Sequence, residues 1–480
     1  MPNLLSYRAG ALFLLRRGLL KLKVLAACLL LPLLSLQAQP AEALRQLLRA
    51  DGLAHASIGV SVKRVADGRV ICEHAPVLSL RPASVLKILP ALLALEKRGE
   101  RFTYRTTLSY TGEIRDGVLD GQLLVAAGGD PALESAYFPR RSFLQRAVEA
   151  IREAGITHLR AAPAVVGADD PVFIPGSWPW EDLSNHYGAT YHPFNYRDNS
   201  YALTLQAGAP GAPAEIVALF PAGINLAFDN RVITDPAGRN EVWIYGGPSA
   251  SPLLLRGSVT GDPRRYTVKG AMHDPARAFI GELIDRLEHA GVTVDAPPSP
   301  RDAPLPATGA HVLLTEESPP LSEIIYHANK RSVNLFAEAL GALVDPARFD
   351  RAAKERLSAS GIDTSGVTLA DASGLSPANV APASFFTDLL RWAYPRASRA
   401  FWNSLPQGAT DAPLAIYSDH PALGKRLHAK TGSMTGVRAL AGYLLTPRDG
   451  LLAFTILINN YTCTPRQLQE HVRDFLAALP

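Results

Sequence analysis

Each end of this 480-residue chain carries a strand hairpin, and that pairing constrains the fold more than any other feature. Near the start, Ser57–Arg64 alternates apolar and polar residues, Asp67-Gly68 supplies a turn, and Arg69–Cys72 reads as a second strand. Asp-Gly between two apolar runs is a strong hairpin signal. Near the end, Leu440–Leu445 and Leu452–Leu457 flank Pro447-Arg-Asp-Gly450 and read as two buried strands. Helical patterns accompany both ends, at Ala41–Arg49, Ser84–Glu96, Leu321–Asn329, Asn334–Val344, Ser384–Tyr394 and Arg466–Ala478. The two ends can therefore combine into one antiparallel sheet of about five strands with helices on its faces, an α/β arrangement. Pro90 sits inside the Ser84–Glu96 pattern. It cannot donate to the carbonyl of Leu86, so it is expected to kink or shorten that helix.

Between the ends the texture changes. From about Arg105 to Thr308, short apolar runs alternate with Gly, Pro, Asp and Asn. Leu123–Ala127, Ala164–Gly167, Tyr201–Gln206, Glu241–Tyr245 and Leu253–Val259 read as strands, with helices at Ser142–Ala154 and Ala276–Ala290. No repeat of fixed period is visible. The expected organisation is a discontinuous domain from 39–104 and 309–480, interrupted at 105–308 by a β-rich insertion of one or two modules.

Residues 1–38 read as a secretory signal rather than as part of the fold. Arg8, Arg16, Arg17, Lys21 and Lys23 precede an apolar run from Val24 to Leu36, and small Ala38 stands before Gln39-Pro40. The run is too short for a stable transmembrane anchor. Leu25-Ala-Ala-Cys28 resembles a lipoprotein site, but the apolar run continues past it. Removing these five basic residues takes the formal charge from +4 to −1. What remains gives no electrostatic footprint for nucleic acid. Export permits a disulfide between Cys72 and Cys463, the two cysteines left. Two cysteines in so long a chain make no framework, and two free thiols are the expectation.

Three short motifs carry the chemistry. Ser84-Val-Leu-Lys87 places two residues one helical turn apart on one face. A serine needs a neighbouring base to become a nucleophile, and a lysine among Val85, Leu86, Ile88 and Leu89 gives up its proton more readily than one in water. The plain alternative is a helix start with a solvated lysine. Ser332-Val-Asn334 could present two polar side chains together, or merely cap the helix that follows. Lys430-Thr-Gly432, followed by Ser433, puts a cation and hydroxyls at the start of a strand, suited to a peptide carboxylate. Its plain alternative is a polar turn.

Taken together and in this order, S-x-x-K, S-x-N and K-T-G before a strand hairpin form the signature set of penicillin-binding proteins and serine β-lactamases. The chain resembles the D-alanyl-D-alanine carboxypeptidase/endopeptidase family of low-molecular-mass class C penicillin-binding proteins, which have a long insertion between the first two motifs. Pro82–Lys87, Gly129-Asp-Pro131, Gly167-Ala-Asp-Asp170, Ser177-Trp-Pro-Trp180, Asn334–Glu338 and Asp371–Ser376 match it locally. The resemblance runs from about Ala41 to Leu479.

It implies a β-lactamase/transpeptidase-like fold and a periplasmic serine peptidase of peptidoglycan stem peptides, without metal or organic cofactor and covalently inhibited by β-lactams. Carboxypeptidase and D,D-endopeptidase action both stay open. Ser84 is the implied nucleophile, Lys87 its base, and Ser332 a proton relay. Asn334 would hold Lys87 and the substrate amide. Lys430 supplies charge, with Thr431, Gly432 and Ser433 lining the carboxylate end. The backbone N–H groups of Ser84 and Ser433 would form the oxyanion hole.

Pro377 stands where many family members carry an arginine, so the usual side-chain preference does not transfer. Glu181-Asp-Leu-Ser-Asn185 imitates a β-lactamase deacylation motif but precedes S-x-N instead of following it, and Glu181 is given no such role. Asp182 is a candidate to approach the site from the insertion. His327 and His428 lack metal-ligand spacing. The rival readings are a serine β-lactamase and a non-catalytic wall-binding protein of the same fold.

Overall fold

The computed structural model describes residues 40–479, apart from 127, 140–141, 168–173, 223, 263 and 296–308. The signal segment and the match at 168–170 lie outside the described residues.

Both chain ends build one antiparallel sheet. Its strand order is Leu427–Met434, Val437–Thr446, Gly450–Asn459, Ser57–Arg64, Val70–His74. The register between the first and last long strands pairs Ile58 with Ile458, Val60 with Ile456 and Val62 with Phe454. Alternation then sends these apolar side chains to one face. There they pack with Leu44 and Leu47 of the helix at 40–49 and with Leu468, Val472 and Phe475 of the closing helix Pro465–Ala477. On the opposite face Ala441, Ala453 and Leu457 meet helices Ile88–Arg98, Leu321–Lys330, Asn334–Val344 and Ala383–Ala393. Cys72 and Cys463 are both free, and burial pushes the Cys72 thiol up to about 12.

The start of the first buried helix departs from the expected pattern. Ala83–Lys87 is a 3-10 turn, and the α-helix runs only from Ile88 to Arg98. Pro90 therefore falls in the first α-helical turn, where its missing N–H has no partner to lose. The α-helix thus starts later than the 84–96 pattern, the shortening expected of Pro90.

The insertion contains a six-stranded sheet and two three-stranded sheets. One apolar cluster joins them, with Leu108, Leu123, Leu203, Ile244, Leu255 and Phe279 among its members. The sheet of the insertion also takes in His311–Glu317, which pairs antiparallel with Arg105–Arg115. The boundary expected at 308 therefore moves to about Ser318. That strand owes its place to pairing with Arg105–Arg115, which no local pattern marks.

Candidate active site

Ser84 sits on the 3-10 turn, partly accessible, with Ala83 before it at φ +46°. A non-glycine residue in the left-handed region stores strain, and such residues gather at functional sites. Ser332 is a second, at φ +58°.

Lys87 is fully buried, and its amine has three neighbours. Nζ lies 2.9 Å from Ser84 Oγ, 2.6 Å from Asn334 Oδ1 and 2.6 Å from the Ser373 carbonyl oxygen. Burial lowers its pKa to about 8, opposed in part by the negative charges of Asp371 and Glu338. A neutral lysine amine has two N–H groups and one lone pair. The two carbonyl-type oxygens can only accept, so they take both N–H groups and leave the lone pair facing Ser84. The side chain that could have been a solvated surface lysine is a buried amine within hydrogen-bond reach of the Ser84 hydroxyl.

Asn334 and Ser332 do not cap the helix. Val333 is the N-cap residue, and no side chain bonds to the first turn. Asn334 instead donates Nδ2 to the carbonyl of Tyr187 at 2.7 Å. Lys430 Nζ donates to Ser332 Oγ at 3.0 Å and to the Thr431 carbonyl at 2.8 Å. Burial, and Lys87 nearby, hold the Lys430 pKa well below the ordinary lysine value.

Gly432 brings the edge strand Leu427–Met434 against the nucleophile turn. A Cβ there would stand 2.5 Å from the Pro82 carbonyl oxygen and 3.1 Å from Ser84 N. Ser433 Oγ accepts from Arg438 Nη1 at 2.5 Å and lines the cleft with Ser84, Ser332 and Asn334. Thr431 does not line this cleft. Its side chain borders a small recess with Pro413, Tyr417 and Arg438. Of the two hydroxyls expected at the carboxylate end, Ser433 is the one that lines this cleft.

The cleft has a volume of about 670 Å³, and the insertion forms part of its wall through Pro179, Glu181, Asp182, Tyr187, Trp243 and Tyr245. Asp182 thus reaches the site, as does Glu181. Burial raises the Asp182 pKa. His327 packs against Tyr137 and Phe138, and His428 against Trp402, so both serve packing.

A layer behind the motifs has roles that sequence reasoning did not assign. Asp371 accepts from Gly374 N, Ser376 N, Asn379 Nδ2 and Trp178 Nε1, all within 2.6–2.8 Å. Glu338 accepts from the backbone N–H groups of Ala372 and Ser373. The sequence signal was present in the matching runs Asn334–Glu338, Asp371–Ser376 and Ser177–Trp180, but spacing alone gives no contact between them.

A serine beside a buried lysine amine, with a polar pair and a basic edge strand on this α/β sheet, defines the class of penicillin-recognising serine acyl-transfer enzymes. The chain belongs to the D-Ala-D-Ala carboxypeptidase 3 (S13) family, whose model matches residues 41–479. It is a hydrolase of the serine D-Ala-D-Ala carboxypeptidase, penicillin-binding class. It is 29% identical to D-alanyl-D-alanine carboxypeptidase of Actinomadura sp. (strain R39), over 96% of this chain and 91% of that one. The fold is that of penicillin binding protein 4 (dacB) from Haemophilus influenzae, with a TM-score of 0.74 at 22% identity over 90% of this chain and 97% of that one. The same protein complexed with a β-lactam matches with a TM-score of 0.70 at 22% identity, over the same shares of the two chains.

Proposed function

We propose that this protein cleaves the terminal D-alanyl-D-alanine bond of peptidoglycan stem peptides through an acyl-enzyme on Ser84. The observation that carries this reading is the set of contacts on Lys87 Nζ, which leaves one lone pair directed at Ser84 Oγ. Ser84 Oγ attacks the carbonyl carbon of the penultimate D-alanine while its proton passes to Lys87. The backbone N–H groups of Ser84 and Ser433 hold the oxyanion. As the C–N bond breaks, Ser332, bonded to Lys430, relays a proton to the departing D-alanine amine. Water then attacks the ester and frees Ser84.

The substrate lies along the edge strand Leu427–Met434, extending the sheet by one strand as peptides do at open edges. Its carboxylate meets the charge of Lys430 and Arg438 and the Ser433 hydroxyl. Asn334 holds the substrate amide as well as Lys87. A β-lactam acylates Ser84 by the same attack. The amino-terminal segment directs export, and the site of action is the periplasm. Among the described residues no helix is long and apolar enough to cross a membrane.

The test is to offer the protein a pentapeptide ending in D-Ala-D-Ala and, separately, a D-Ala-diaminopimelate cross-linked dimer. Release of D-alanine from the first by wild type and not by Ser84→Ala supports the carboxypeptidase reading; cleavage of the second extends it to endopeptidase action. Rapid turnover of a chromogenic cephalosporin would move the protein to the β-lactamases. Wall binding unchanged in Ser84→Ala, with no cleavage by wild type, would make it a binding protein.

A further inference from the structure

Lys87 leans on a carbonyl that does not hold itself in place. The Ser373 oxygen accepts from Nζ at 2.6 Å, yet Ser373 belongs to the connecting segment between helices Phe349–Ser358 and Ala383–Ala393 and to neither helix. Its backbone is fixed from behind. Glu338 Oε1 accepts from Ser373 N at 2.8 Å and from Ala372 N at 3.2 Å, and Oε2 lies 3.3 Å from Ala372 N. Glu338 stands one turn along from Asn334 on helix Asn334–Val344, so a single helix contributes both a ligand of the Lys87 amine and the anchor of its other ligand.

The segment separates two clefts. Gly374, Leu375 and Pro377 line the cleft that holds Ser84. Leu369 to Ala372 line a second cleft of about 580 Å³, together with Glu338. Glu338 lines only the second of these. It acts on the reaction through Lys87 and the Ser373 carbonyl, not by touching substrate.

We propose that Glu338 is a positioning residue for the general base: it fixes the Ser373 carbonyl that orients Lys87 and supplies negative charge near the amine. This rests on the assignment of Lys87 as the base. The charged groups facing Lys87 are Asp371 from the 371–376 segment, Glu338 from its helix, and Lys430 from the edge strand. Asp371 and Glu338 favour the protonated amine, and burial opposes them. Burial and the neighbouring Asp371 raise the Glu338 pKa above the ordinary carboxylate value, and the backbone N–H groups of Ala372 and Ser373 pull it back down.

Two substitutions separate position from charge. Glu338→Gln keeps an acceptor oxygen for Ser373 N and removes the charge. Glu338→Ala removes both. Because the charge favours the protonated lysine, its loss makes the amine easier to deprotonate. The acid limb of kcat/KM in Glu338→Gln therefore moves to lower pH, by roughly one unit. Its plateau stays within a few-fold of wild type. Glu338→Ala loses on the order of 100-fold in kcat, the scale of a ~1 Å misplacement of a reacting group.

The measurement is the pH dependence of D-alanine release by wild type and both variants, with circular dichroism confirming that each is folded. If Glu338→Ala does not fold, the isosteric Glu338→Gln still carries the test. A wild-type acid limb in Glu338→Gln overturns the proposal. So does a plateau in Glu338→Gln as low as that of Glu338→Ala, since the retained acceptor would then have rescued nothing. If wild type itself releases no D-alanine, the functional reading has failed and not this inference alone.

Discussion

The side-chain Nδ2 of Asn334 donates to the main-chain carbonyl of Tyr187 at 2.7 Å. A carbonyl oxygen can only accept, so this contact decides which way the amide points. Oδ1 is turned towards Lys87 by a residue of the insertion. Asn334→Asp removes that donor and sets a carboxylate beside the amine. A neighbouring negative charge favours protonated lysine. The acid limb of kcat/KM should therefore move to higher pH, and activity at pH 7 should fall at least tenfold; a pH profile of D-alanine release reads both. An unshifted limb would show that Asn334 does not govern Lys87.

Lys87 must lose a proton before it can accept one. Its pKa is lowered to about 8 by burial, so acylation by a β-lactam should rise with pH through that value and level off above it. At pH 6 the rate should be on the order of 100-fold below the plateau, because only the neutral fraction reacts. Lys87→Arg keeps the charge and the donors but cannot deprotonate. It should lose on the order of 10²–10⁴-fold in acylation rate, the usual contribution of a general base. A flat wild-type profile between pH 6 and 9 would argue that another group is the base.

Gly432 gives a steric prediction. Alanine there would bring a Cβ to 2.5 Å from the Pro82 carbonyl oxygen, closer than such contacts allow. The edge strand would have to back away from the nucleophile turn. Gly432→Ala should cost on the order of 100-fold in kcat/KM with a stability loss of about 1–3 kcal/mol, as for other overpacked sites. Steady-state kinetics and urea unfolding check the two separately. Full activity would mean that the strand and turn need not approach so closely.

Trp178 links the insertion to the segment behind Lys87. Its indole N–H donates to Asp371 Oδ2 at 2.8 Å, and Ser177 Oγ lies 2.5 Å from Ser376 Oγ. Trp178→Phe keeps most of the ring and deletes one donor to a buried carboxylate that retains three others. The expected destabilisation is about 1.5–3 kcal/mol, the range for hydrogen bonds to charged groups, read by urea unfolding. A change below ~0.5 kcal/mol would show that this contact does not help fix the insertion.

The sequence was most legible where the physics is local. Ser84 and Lys87 meet because they are one turn apart, and the hairpin around Arg448-Asp-Gly450 follows from turn residues between apolar runs. Helix Asn334–Val344 and strands Glu241–Tyr245 and Leu253–Val259 coincide with their apolar patterns. What escaped was set by tertiary contact. The closing strand His311–Glu317 is defined only by its distant partner Arg105–Arg115, and Glu338 and Asp371 gain their contacts from backbone N–H groups that no motif encodes.

The central claim is that Ser84 forms the acyl-enzyme. The most direct test is to react the purified protein with fluorescent penicillin and locate the label by peptide mass spectrometry. The account predicts a stable label on Ser84 that is absent from Ser84→Ala. A label on any other residue, or none at any concentration without rapid β-lactam hydrolysis, would contradict it.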